Sequence, residues 1–139
     1  MKLYIDGSCN MNIPIEDRII KAVVTDENGI VLIEKQVKGK SSNIAEFWAI
    51  AEALAFARNC GLAQVDLLTD SRNNLSWFKG RIGKKLNDRA TVINLHEFIN
   101  RLRMKLSCTI TWIPREKNLA GVYLETGVKG AEAVSIARS

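Results

Sequence analysis

The order in which strand-like and helix-like segments follow one another constrains the fold more than any other feature of the sequence. Residues 2–5 alternate polar and apolar side chains, and residues 18–25 and 30–37 are rich in β-branched side chains. Asn28-Gly29, between the second and third of these runs, is typical of a tight hairpin, because both residue types tolerate a positive φ. These segments predict three strands, of which the second and third are antiparallel.

Helices and strands alternate after the third strand. Residues 44–59 repeat apolar side chains at helical spacing, and Ser42 or Asn43 is the expected N-cap. The elements predicted after that helix are a strand over 65–69, a helix through residue 78, a helix over 88–106, a strand over 109–113 and a helix over 118–125. Because helices link strands one, four and five, those strands are expected to be parallel. The sequence therefore predicts an α/β fold with a five-stranded mixed sheet, in the order 3-2-1-4-5, flanked by helices.

Composition restricts the class of protein further. With 139 residues, 47% of them hydrophobic, we expect one domain over residues 1–139, with a core of about residues 1–126 and an ambiguous tail over 127–139. No apolar run approaches the roughly 18 residues of a membrane span. Asp6 interrupts the first apolar segment too early for a secretory signal peptide. We therefore predict a cytoplasmic protein, monomeric and without a membrane partner.

Residues that bind metals or act as nucleophiles are few outside the acidic group. The three cysteines are dispersed and contain no C-x-x-C pair, which disfavours a disulfide framework or a zinc site. His96 is the single histidine, so a metal site built from several histidines is excluded. Carboxylates are the expected active groups.

Three short segments each carry one carboxylate beside small or hydroxyl residues. Asp6 and Asp70 follow predicted strands that the topology makes neighbours, and Glu46 lies near the start of the helix that connects them. Carboxyl ends of adjacent parallel strands meet at one edge of a sheet. We expect Asp6, Glu46 and Asp70 to form one acidic site that binds a metal ion.

These segments also carry a resemblance to a known family. The motifs are Asp6-Gly7-Ser8 after the first strand, Asn43 with Glu46 at the first long helix, Thr69-Asp70-Ser71 after the fourth strand, and Asn118 after the fifth. In order and spacing, from Leu3 to about Glu125, they resemble type 1 ribonuclease H. The resemblance implies a ribonuclease H-like fold.

It also implies an activity. Type 1 ribonuclease H cleaves the RNA strand of RNA/DNA hybrids endonucleolytically and leaves 5′-phosphate and 3′-hydroxyl ends. On this precedent Asp6, Glu46 and Asp70 are catalytic residues that bind two Mg²⁺ ions, with Mn²⁺ as a substitute. Carboxylates held together repel one another unless cations neutralise them, which is consistent with such a site.

The sequence departs from the family pattern at two places. The family has a fourth carboxylate four residues after the asparagine, where this chain has Val122. Glu125 lies three residues further along the same predicted helix, and our hypothesis is that it serves as the fourth catalytic and metal-binding carboxylate. Many relatives carry a loop histidine, which Arg115-Glu116-Lys117 replaces here, so the chain resembles the histidine-free branch.

The resemblance also assigns contacts with the RNA/DNA hybrid. Residues after the first strand and before Glu46 are expected to line the RNA side of the groove, and Asn73 and Asn74 are expected to contact the nucleic-acid backbone. The predicted contacts are Ser8, Cys9, Asn12, Ser42, Asn43, Ser71, Asn74 and Asn118, together with Lys84 and Lys85 in a basic loop. The net charge of +5 suits a polyanionic partner. Trp77, just before that loop, is expected either to stack on a sugar or to pack in the core.

Two other functions remain open at this point. A hybrid or double-stranded RNA binding module with weak or no catalysis would explain the missing aspartate at residue 122. A DNA nuclease on the same fold would use the same acidic site. Retention of Asp6, Glu46 and Asp70 together favours catalysis, and the sequence contexts of Asp6 and Asp70 favour the ribonuclease.

Overall fold

The computed structural model describes all 139 residues, which form one five-stranded sheet and five α-helices. The strands are β1 (Lys2–Cys9), β2 (Ile19–Thr25), β3 (Val31–Lys38), β4 (Gln64–Thr69) and β5 (Ser107–Trp112). The helices are α1 (Ser42–Asn59), α2 (Arg72–Phe78), α3 (Arg89–Arg103), α4 (Leu119–Thr126) and α5 (Ala131–Arg138). None of these helices combines the length and the apolar character that crossing a membrane requires.

The strand order is β3-β2-β1-β4-β5, which confirms the predicted topology. β1 pairs antiparallel with β2, and β2 pairs antiparallel with β3. β4 lies parallel to β1 on one side and to β5 on the other. The carboxyl ends of β1 and β4 therefore face the same edge of the sheet, where β1 runs on beyond its last pair with β4.

An alanine stripe allows α1 to lie close to the sheet. The residues of this stripe recur every fourth position and are completely buried: Ala45, Ala49, Ala53 and Ala57. Side chains four apart lie on one face of a helix, and methyl groups there leave little space between the helix and the strands. The large residues of the same core come from β1, α1 and α3, among them Leu3, Phe47 and Ile99.

A second, smaller cluster covers the opposite face of the sheet. It consists of Leu119 and Val122 from α4 with Ala133 and Ala137 from α5, and the ring of Tyr4 packs against it. Helix α5 thus lies in the tail that the sequence left ambiguous. It is held by apolar contacts with α4, and Lys117 Nζ donates a hydrogen bond to its Ala137 carbonyl at 2.8 Å.

Two element boundaries differ from the prediction at the edge that carries the acidic residues. β1 continues to Cys9, which is opposite Ile20 of β2, so the residues after Ile5 belong to the strand. The N-cap of α1 is Ser41, whose hydroxyl accepts a hydrogen bond from the Ile44 amide at 3.2 Å. Ser42 and Asn43, expected as caps, occupy the first turn of the helix instead.

Candidate active site

The three predicted carboxylates come together at one end of the sheet. Asp6 lies within β1, Glu46 lies near the start of α1, and Asp70 directly follows β4. One oxygen from each carboxylate lies within 4.8 Å of the other two. Oxygen ligands at this spacing, on rigid elements, suit hard divalent cations such as Mg²⁺ or Mn²⁺.

Gly7 determines how closely α1 approaches β1. A methyl group at this residue would lie 2.4 Å from the carbonyl carbon of Ala45 and 2.4 Å from the amide nitrogen of Glu46. Only a residue without a side chain permits this contact between the two backbones. The glycine therefore brings Glu46 to the side of Asp6.

Asn118 connects Asp70 to the strand that carries Asp6. Its side-chain nitrogen donates to Ile5 O at 2.8 Å and to Asp70 Oδ2 at 3.1 Å, and its Oδ1 accepts from the Ala120 amide at 3.2 Å. The side chain is completely buried and also caps α4. In this structure it positions Asp70, and it presents no surface to a nucleic acid.

Burial and mutual repulsion raise the proton affinity of two of the carboxylates. Loss of solvation, followed by the charges of Asp70 and Glu46, raises the pKa of Asp6 to about 8. Loss of solvation is also the main reason that the pKa of Glu46 is raised to about 7, although a hydrogen bond to Ser71 counteracts it. An added cation would relieve this repulsion, so the donor set fits a divalent metal.

A rim of charged and polar residues surrounds the carboxylates in a cavity of about 260 Å³. Arg115, on the turn before α4, forms an ion pair with Glu125, whose side chain is 53% exposed. Glu125 also lines the cavity that contains Asp6, but it is not one of the three clustered carboxylates. Val122, where the family has its aspartate, is 7% exposed and packs towards α5.

The predicted substrate contacts divide into exposed and buried groups. Ser8, Cys9 and Ser42 line the acidic cavity, and Asn12 and Asn43 are exposed. These five are available to a bound strand.

Ser71 and Asn74, like Asn118, lie inside the protein. Asn74 is completely buried, and its side chain donates to the Asn43 carbonyl at 3.1 Å, which ties α2 to the start of α1. Ser71 caps α2 by accepting from the Asn74 amide at 3.1 Å. Trp77 is 7% exposed and packs edge-on against Phe47, with ring centroids 5.4 Å apart. Of the two expected roles, the structure therefore favours packing in the core over stacking on a sugar.

The basic loop between α2 and α3 is exposed. Lys84 and Lys85 protrude from it and form no ion pair with an acidic side chain. Arg89 donates from Nε to the Gly83 carbonyl at 3.1 Å, which gives the loop part of its shape. Two lysines without acidic partners are available for phosphate groups.

Sequence reasoning did not identify Arg115 as part of the site. Its charge lowers the pKa of Glu46, and the charges of Asp6 and Asp70 in turn raise the pKa of Arg115, after the larger effect of Glu125. The signal available in the sequence was its position, three residues after the end of β5 and in the loop where relatives carry a histidine.

Sheet order and clustered carboxylates together place this protein in the ribonuclease H-like class. A family model described as reverse transcriptase-like matches residues 5–124, and the chain belongs to that family. None of the curated protein sequences matches the chain.

Solved structures of ribonucleases H share the fold. The N-terminal RNase H domain of rv2228c from Mycobacterium tuberculosis is 23% identical, with a TM-score of 0.66 over 86% of this chain and 90% of that one. RNase H1 from the halophilic archaeon Halobacterium salinarum NRC-1 is 21% identical, with a TM-score of 0.64 over 96% of each chain. LC11-RNase H1 from compost, solved in complex with an RNA/DNA hybrid, is 25% identical, with a TM-score of 0.63 over 99% of each chain. The predicted fold and the resemblance to type 1 ribonuclease H are confirmed.

Proposed function

We propose that this protein is a metal-dependent endonuclease that hydrolyses the RNA strand of RNA/DNA hybrids and leaves 5′-phosphate and 3′-hydroxyl ends. The observation that carries the proposal is the convergence of Asp6, Glu46 and Asp70 within 4.8 Å at the end of the sheet. Membership of the family and the hybrid-bound relative of similar fold support the choice of substrate.

Asp6, Glu46 and Asp70 would hold two Mg²⁺ ions, or Mn²⁺ in their place. Such a pair of ions supplies a nucleophile at neutral pH and stabilises charge on the attacked phosphate. The contribution of the chain is to fix the ligands: Gly7 keeps α1 against β1, and Asn118 fixes Asp70 relative to Ile5. A ligand set held by backbone contacts requires little rearrangement when the ions bind.

Glu125 is proposed as the fourth carboxylate. It lies on the rim of the cavity and is half exposed, so a change of rotamer would bring it towards the cluster. Arg115 competes with a metal ion for Glu125, because the two side chains form an ion pair. Because the pair is exposed, it is worth at most about 1 kcal/mol, and a divalent ion is expected to win that competition.

The substrate would lie across the cavity and the basic loop. Ser8, Cys9, Asn12, Ser42 and Asn43 border the side where 2′-hydroxyl groups of the RNA strand would be read. Lys84 and Lys85 would contact phosphates of the DNA strand, which makes binding dependent on salt but independent of sequence. In this proposal Ser71, Asn74 and Asn118 act by positioning.

One assay tests the proposal. Purified protein is incubated with end-labelled RNA/DNA hybrid, duplex DNA and duplex RNA, each with Mg²⁺, Mn²⁺ or chelator, and the D70N variant is the control. Metal-dependent loss of the RNA strand of the hybrid alone, abolished in D70N, is the expected result. Binding of the hybrid without cleavage would instead indicate a binding module, and cleavage of duplex DNA would indicate a DNA nuclease.

A further inference from the structure

Arg18 joins two backbone segments and contacts no acidic group. Its Nε donates to Ile13 O at 3.0 Å and its Nη2 donates to Met11 O at 3.0 Å. Its Nη1 donates to Lys40 O at 2.9 Å, across 22 residues of sequence. No carboxylate forms an ion pair with it. A guanidinium has donors fixed in a planar fork, so it can hold carbonyls of different segments at a defined distance.

Both segments border the proposed substrate groove. Residues 10–17 follow β1 and include Asn12, while residues 39–41 lead directly into Ser42 and Asn43 of α1. The first segment has one short 3-10 turn, Ile15–Asp17, as its only regular structure. A segment with so few internal hydrogen bonds depends on outside contacts for a fixed conformation.

The same connection continues to the basic loop. Lys40 Nζ lies 3.0 Å from Asp88 Oδ1, and Asp88 precedes α3 with a φ of 57°. A cavity of about 500 Å³ lies between the three segments, and its walls include Met11, Arg18, Asn43 and Asn87. Arg18 and Lys40 therefore link all the loops that surround this cavity.

We propose that Arg18 is a positioning residue for nucleic-acid binding, fixing the loop 10–17 against the connector 39–41 before the substrate arrives. This inference rests on the proposed function. Ordering a loop at the moment of binding costs affinity, and a loop that is already ordered avoids that cost. Asp6 and Glu46 lie on β1 and α1, and Asp70 follows β4. Arg18 donates no side-chain hydrogen bond to any of these elements, so turnover of bound substrate should be independent of it.

The test compares R18K and R18M with R58M as a matched control. Arg58 lies in the last turn of α1, twelve residues from Glu46 and hence about 18 Å along the helix axis, and R58M removes the same charge as R18M. Hybrid affinity is measured by fluorescence anisotropy with Ca²⁺ over a range of salt concentrations. Steady-state cleavage gives kcat and KM, and amide hydrogen exchange of the free proteins reports the order of residues 10–17.

We expect R18K and R18M to weaken hybrid binding alike, on the order of tenfold, with an unchanged salt slope, an increased KM, kcat within about twofold, and faster exchange in residues 10–17. R58M should match the wild type.

Wild-type affinity in R18K and R18M would overturn the positioning role. So would wild-type affinity in R18K with a salt slope reduced by about one in R18M, because Arg18 would then contact a phosphate directly. Failure of the wild-type protein itself to bind hybrid would contradict the proposed function. Loss of the Arg18 role alone would leave wild-type binding and cleavage intact, so the two failures can be told apart.

Discussion

Asn118 donates from one side-chain nitrogen to both Ile5 O, at 2.8 Å, and Asp70 Oδ2, at 3.1 Å. A single buried amide thus links the strand that carries Asp6 to the carboxylate that follows the neighbouring strand. The relative positions of two acidic groups far apart in sequence therefore depend on a third residue that has no charge.

Replacing Asn118 with alanine should affect both stability and activity. The variant N118A leaves the buried carbonyl of Ile5 without its side-chain donor and α4 without its cap, which should lower the free energy of unfolding by about 1–3 kcal/mol. Urea denaturation measures this loss. Hybrid cleavage should fall by about tenfold or more, because Asp70 loses the contact that orients it. An unchanged cleavage rate in folded N118A would contradict the positioning of Asp70 by Asn118.

The stability of the metal-free protein should fall as the pH rises. Burial and repulsion raise the pKa of Asp6 from 3.8 to about 8 and that of Glu46 from 4.5 to about 7. At pH values between the ordinary and the raised pKa of each group, the folded protein holds more protons than the unfolded chain. Each unit of increase in pH in this range therefore reduces the free energy of unfolding. Thermal unfolding in chelator between pH 5 and pH 8 should show this decrease.

The variant D6N is the control for this pH dependence. Asparagine does not titrate, so D6N loses the contribution of Asp6 and keeps that of Glu46, and the decrease should be shallower in D6N. Saturating Mg²⁺ should stabilise the wild-type protein more at pH 8 than at pH 6, because the ion competes with protons for the carboxylates. Equal slopes for D6N and the wild type in chelator would show that other groups cause the pH dependence.

Glu125 and Arg115 should have opposite effects on metal affinity. In E125Q a proposed ligand is lost, so Mg²⁺ should bind more weakly and kcat should fall by about tenfold or more, with hybrid affinity unchanged. In R115Q a positive charge beside the cluster is lost and Glu125 is released, so Mg²⁺ should bind more tightly. Isothermal titration of the free proteins with Mg²⁺ measures both affinities. A wild-type cleavage rate and wild-type metal affinity in E125Q would show that the site uses three carboxylates.

The lysines of the basic loop should determine part of the salt dependence. If Lys84 and Lys85 each neutralise one phosphate, the variant K84A/K85A should reduce the slope of log Kd against log salt by about two. The variant K105A/K129A removes two exposed lysines elsewhere on the surface and should leave the slope unchanged. Equal slopes in all three proteins would mean that the loop does not contact phosphate.

Local patterns were sufficient for the topology and for the three carboxylates. The β-branched runs around Asn28-Gly29 and the alanine-rich helix have strong local signals, and the ends of adjacent parallel strands bring Asp6 and Asp70 to one edge. The extension of β1 to Cys9 was missed because it depends on pairing with Ile20 in another strand. Propensity alone does not report such a partner.

The features that the sequence did not reveal depend on tertiary contacts. Helix α5 is stabilised by packing of Ala133 and Ala137 on α4, which a local pattern does not contain. The oxygen acceptors of Arg18 are all backbone carbonyls, which every residue type has, so the sequence does not indicate these partners. Burial of Asn74 and Asn118 is likewise a property of the folded chain, so the sequence did not contradict the substrate contacts that the family resemblance assigned to both.

Gly7 has a consequence for identifying active relatives. Its contact with the backbone at Ala45 and Glu46 makes the spacing of the acidic groups a property of the main chain. A homologous chain could retain every acidic side chain and still, with alanine at this position, force the helix away from the strand and separate the groups that must share an ion. The smallest residue in the motif is therefore as informative about activity as the charged ones.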